Sequence, residues 1–118
     1  MTNPCLHRDI KIAAHEGRVT VVFDGKVIAD SIRALDLDEP GYPMRIYIPR
    51  EDVSADVLTD SAHHSYCPYK GDASYHSLLT DNEKAENAVW YYADPCPLVE
   101  PIRDHLAFWG NQIRYEPA

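Results

Sequence analysis

Hydrophobic and polar residues alternate with a period of two along much of this chain, the pattern that sends successive side chains to opposite faces of a half-buried strand. Ile10 and Ile12 flank the polar Lys11. Arg18 to Phe23 is β-branched and aromatic, and Lys26 to Ala29 resumes after Asp24-Gly25, which predicts a hairpin. Ala34-Leu35-Asp36-Leu37-Asp38 alternates again, and Glu39-Pro40-Gly41-Tyr42-Pro43 must turn, because prolines cannot donate to a ladder. Met44 to Ile48 predicts a strand with Met44, Ile46 and Ile48 on one face and Arg45 and Tyr47 on the other. Asp72 to Leu79 and Asn87 to Ala93 are further strands; in the second, Trp90 and Tyr92 share a face and Tyr91 takes the other. Asp60-Ser61-Ala62 reads as loop, and Ala107 to Tyr115 as a closing hairpin.

Helical signals are sparse. Pro49-Arg50-Glu51-Asp52-Val53 suits a single turn, with proline first and acids following. Leu98 to His105 has helical spacing, limited by Pro101. The expected organisation is a flexible arm over residues 1–8 and a single domain over residues 9–118. That domain is mainly β, built of short antiparallel strands with one short helix.

Charge narrows the partners. A formal charge of −8 on 118 residues argues against nucleic acid or an anionic membrane surface as the partner, since both call for a basic face. Small molecules remain, or another protein, including a second copy in a homodimer. No apolar run approaches the ~18 residues of a membrane span, and the first residues lack the parts of a signal peptide. The three cysteines, Cys5, Cys67 and Cys96, are odd in number and form no C-x-x-C pair. A reduced, cytoplasmic chain without a disulfide framework or a bound metal is therefore expected. The sequence names no cofactor.

Candidate chemistry concentrates in Ser65 to Tyr75, which holds a thiol, a lysine and three tyrosines around Pro68 and Gly71. Pro68 presets φ for the second position of a β-turn, so Cys67 and Lys70 become its two ends, within about 7 Å Cα to Cα. A nearby ammonium lowers a thiol pKa and would make Cys67 a nucleophile; the alternative is a small buried hydrophobe beside a solvated lysine. Tyr66, Tyr69 and Tyr75 could wall a pocket. His63 and His64 point to opposite faces, so one at most could serve Cys67 as a base, and a metal set with His76 or His105 would need convergence that no spacing requires. Arg33, Arg45, Tyr47, Arg50 and His105 are the polar groups next placed around a cleft, with Trp90 as an aromatic wall. Arg50, at a strand end and on the first turn of a short helix, occupies an anion-facing position.

Five stretches run in the order of a small bacterial family known as DUF427, which the chain resembles over nearly its whole length. They are Arg18-Val with Asp24-Gly-Lys-Val-Ile-Ala-Asp-Ser31, Ile48-Pro-Arg-Glu-Asp-Val53, Cys67-Pro-Tyr-Lys-Gly-Asp-Ala-Ser-Tyr75, Asn87-Ala-Val-Trp-Tyr91 and His105-Leu-Ala-Phe108. The resemblance implies a fold similar to the β-tent or Mss4-like group, several of whose members bind zinc through paired C-x-x-C motifs. Those pairs are absent here. The family also carries a nucleotidyltransferase label, but this chain has no Gly-Ser turn followed by paired aspartates, and Asp36-Leu37-Asp38 reads as the polar face of a strand. The expected function is binding of a small anionic molecule by Lys70 and Arg50 among tyrosines, with Cys67 as the reactive group of any chemistry. The alternative is an interaction or homodimerisation module with an aromatic face. A concave site would favour the first and a flat aromatic patch the second.

Overall fold

The computed structural model describes residues 5–116. The strands are β1 (Lys11–Ala14), β2 (Val19–Phe23), β3 (Lys26–Ser31), β4 (Leu35–Asp38), β5 (Arg45–Pro49), β6 (Leu58–Cys67), β7 (Gly71–Leu79), β8 (Lys84–Tyr91), β9 (His105–Phe108) and β10 (Ile113–Glu116). They form a seven-stranded sheet in the order β1-β4-β5-β9-β8-β7-β6 and a three-stranded sheet in the order β10-β2-β3. All the pairings within the two sheets are antiparallel. The fold is mainly β, as the alternation predicts.

The large sheet buries apolar side chains on both faces. On one face Ile48, Leu78, Val89, Leu106 and Phe108 pack against Val19, Val21, Phe23 and Ile28 of the small sheet. On the other, Leu37, Tyr47, Ala73, Tyr92 and Ala107 meet Ile10, Val99 and Ile102. The pleat sorts neighbours between these cores: Ile48 joins the first and Tyr47 the second, and Tyr91 packs on the first while Trp90 and Tyr92 belong to the second. The Asp24-Gly25 hairpin joins β2 and β3, with both turn residues at positive φ (52° and 70°).

Four expectations are corrected. The stretch predicted as a helix is a 3₁₀ segment, Pro97–Ile102, kinked at Val99, and His105 opens β9 instead. Pro101, inside the segment, lacks the N–H group an α-helical ladder needs. Asp60-Ser61-Ala62 lies inside β6 rather than in a loop. This edge strand has a register shift between Asp60 and His64 and is largely exposed, so its sequence lacks an apolar signal. β10 does not close a hairpin with β9; it crosses to pair with β2. The Tyr115 hydroxyl nevertheless ties it back, accepting the Phe108 N–H at 3.1 Å, and burial pushes its pKa up to about 12.

The fourth correction concerns the cysteines. Cys5 and Cys96, 91 positions apart, form a disulfide, and Cys67 is the free thiol. No local spacing announces a pairing over that distance. Around it, the Leu6 N–H donates to the Pro68 carbonyl at 2.8 Å and the Cys96 N–H to the Lys70 carbonyl at 2.9 Å. Gly71 takes φ +110, a conformation that glycine adopts without strain, beside the Asp94–Cys96 segment. The arm expected over residues 1–8 falls partly outside the described residues; residues 5–8 are pinned to the turn by these contacts.

The unreduced, denatured protein should present one thiol to a colorimetric reagent, and Cys5→Ser should lower unfolding stability by about 2–4 kcal/mol. A denaturant titration in which Cys5→Ser unfolds at the wild-type midpoint would contradict this pinning.

Candidate functional site

The second face of the large sheet is incompletely filled and opens into a cleft of about 710 Å³. Its floor is aromatic. Tyr47 comes from β5, Trp90 from β8 and Tyr92 from just beyond it, on the face that alternation assigns to them. The Trp90 Nε1–H donates to the Tyr47 hydroxyl at 3.1 Å, with the rings edge to face at 6.4 Å. Burial pushes the pKa of Tyr47 and of Tyr92 well above the ordinary phenol value, so both hydroxyls stay protonated. Tyr92 is 4% exposed, and its hydroxyl has no hydrogen-bond partner among the described residues. No side-chain polar atom there is both sealed and unpartnered, so this hydroxyl faces the open cleft.

One wall is the turn Cys67–Lys70, closed by a hydrogen bond from the Lys70 N–H to the Cys67 carbonyl at 3.2 Å. The Cys67 side chain lines the cleft and is half-buried. The Lys70 ammonium, however, is ion-paired with the Glu39 carboxylate. The expected thiol beside a free lysine therefore does not describe this turn. Glu39, 7% exposed, also accepts from Arg8 at 3.2 Å, and Arg8 donates to the Tyr69 hydroxyl at 3.0 Å while lying 4.1 Å over that ring. Arg45 is placed differently. Its guanidinium sits 5.8 Å from the Trp90 ring centroid, and it makes no ion pair among the described residues.

Of the residues expected around a cleft, Cys67, Lys70, Arg45, Tyr47, Tyr66, Tyr69, Tyr75 and Trp90 do line it. Tyr75 shares a hydrogen bond with Ser65 at 2.9 Å, its ring against His63. Arg33, Arg50 and His105 lie elsewhere. Arg33 forks onto Asp52 at 3.0 and 3.1 Å. Arg50 pairs with Asp104 at 2.9 Å and lies 4.6 Å over the Tyr91 ring, on the opposite face of the sheet from the cleft. The His105 Nδ1 meets the Arg103 carbonyl at 2.9 Å. The sequence left Glu39 and Arg8 unmarked, one at the head of a Pro-Gly turn and one in the arm. Arg45 did carry a signal, its position on the Tyr47 face of β5.

Next to Arg50 a buried histidine carries its own chemistry. The Thr59 carbonyl can only accept, so His76 Nδ1 holds the proton and Nε2 accepts from Arg50 at 3.1 Å. Burial, then the Arg50 charge, holds the His76 pKa below its ordinary 6.5, against opposing pulls from Asp60 and Asp104.

The model of the family described as a domain of unknown function (DUF427) matches residues 11–116, and the chain belongs to that family. No curated protein matches it.

The unfolded chain takes up the His76 proton at higher pH than the native one, so stability should be full above about pH 6.5 and fall as the pH drops below it. Urea titrations across pH 5 to 8 check this, and His76→Phe should flatten that part of the profile; an unchanged slope would contradict it.

Proposed function

For this member of the DUF427 family, we propose that the cleft binds a small organic molecule with a ring-shaped body and an acidic group. The observation that carries the reading is Arg45, a guanidinium without an ionic partner at the edge of an aromatic cleft. The chain as a whole carries −8, yet the charged side chains lining the cleft are Arg8, Arg45 and Lys70 against the single carboxylate of Glu39. Such a local reversal of sign attracts an anion. Arg8 and Lys70 already serve Glu39, which leaves Arg45 to receive the ligand. Its planar fork suits two oxygens of a carboxylate or phosphate, and Trp90 offers a face on which a ring can stack.

Size and shape support the same reading. A volume near 710 Å³ lies in the range of small-molecule pockets. The tyrosines and tryptophans that could have formed a flat docking face instead surround a hollow, which favours a small ligand over an interaction module. Lys70, held by Glu39, acts here as a wall rather than as the activator of Cys67.

Benzoate is the simplest probe. Titrated into the ¹⁵N-labelled protein, it should shift the Trp90 indole N–H, and Arg45→Met should weaken its binding about tenfold or more, the worth of a hydrogen bond to a charged group. Benzyl alcohol, without the charge, should bind no better to the wild type than to the variant. Benzoate binding equally to both proteins, or leaving Trp90 unmoved, would sink the reading.

A further inference from the structure

We infer that the ligand presents, besides its acidic group, an acceptor oxygen received by the hydroxyls of Tyr92 and Tyr47 on the cleft floor, which makes it a ring-bearing keto acid or a similar carbonyl-containing acid. This rests on the cleft being a small-molecule site.

A phenol hydroxyl that lines a cleft can donate to a ligand oxygen when no protein acceptor takes its proton. Tyr92 is 4% exposed, and its hydroxyl opens on the cleft without a partner among the described residues. The Tyr47 hydroxyl oxygen already accepts the Trp90 N–H, and no acceptor among the described residues takes its own proton. Each phenol therefore has a proton to donate into the same cavity, and burial keeps both phenols neutral.

The charged lining has the same bias. Arg45 can only donate. Glu39, the one carboxylate of the lining, is occupied by Lys70 and Arg8. With the charged groups that are not already paired all donors, a ligand that brings acceptor oxygens is favoured. Amines meet like charge. A ring bearing a carboxylate and a carbonyl oxygen matches both groups of donors.

A matched pair of probes tests this. para-Acetylbenzoate and para-isopropylbenzoate have the same shape and charge and differ in one carbonyl oxygen. Calorimetry should give the acetyl acid roughly three- to tenfold tighter binding in the wild-type protein. Tyr92→Phe, which removes one of the two phenol donors, should cut that preference at least in half. Arg45→Met should weaken both acids alike. Tyr92→Phe removes a hydroxyl that holds no protein partner, so its melting temperature should equal or exceed that of the wild type. Equal affinity for the two acids, or a preference undiminished in Tyr92→Phe, would overturn the phenol assignment and leave the acid-binding cleft standing. Failure of both acids to bind would overturn the two together.

Discussion

One carboxylate organises the site. Glu39, at the end of β4 and almost fully buried, holds Lys70 from the Cys67–Lys70 turn and Arg8 from the N-terminal segment. A buried ion pair gains little over apolar packing, but leaving one partner behind uncompensated is costly, typically about 3–5 kcal/mol. The cluster is therefore all or nothing: with Glu39 in place, arm, turn and strand end are fixed relative to one another. The Cys5–Cys96 disulfide and the Leu6–Pro68 hydrogen bond hold the arm at the same place. The consequence for function is indirect. Because Lys70 and Arg8 both pair with Glu39, Arg45 is left as the cation of the cleft without an ionic partner among the described residues.

Much of this architecture is visible in the sequence, because the pleat converts a period of two into a choice of face. Arg45 and Tyr47 turn to the cleft while Ile46 and Ile48 turn to the inter-sheet core, and Trp90 and Tyr92 separate from Tyr91 in the same way. The turn at Pro68 is a matter of local φ preference and could be read too. What stayed hidden is long-range. Glu39 and Lys70 are 31 positions apart, and Cys5 and Cys96 are 91 apart. Neither pairing leaves a mark on its neighbours in the chain. Arg50 illustrates the converse: its position at a strand end before a 3₁₀ turn suggested an anion site, but the chain delivers it to Asp104 and His76 on the far side of the sheet.

The site that results joins two chemistries seldom found alone. Aromatic side chains supply surface for a ring, and the hydroxyls among them supply protons for a ligand oxygen. Tyrosine serves both purposes, with its face in the wall and its hydroxyl in the floor. That dual use gives the density of tyrosine in this acidic chain a physical meaning.

The most direct measurement is a crystal structure of the protein with para-acetylbenzoate bound. The account predicts the carboxylate on the Arg45 guanidinium, the ring against Trp90, and the ketone oxygen within hydrogen-bonding distance of the Tyr92 hydroxyl, with Glu39 still holding Lys70 and Arg8. A carboxylate seated instead on Lys70 or Arg8 after displacing Glu39, or a ring bound outside the cleft, would contradict it.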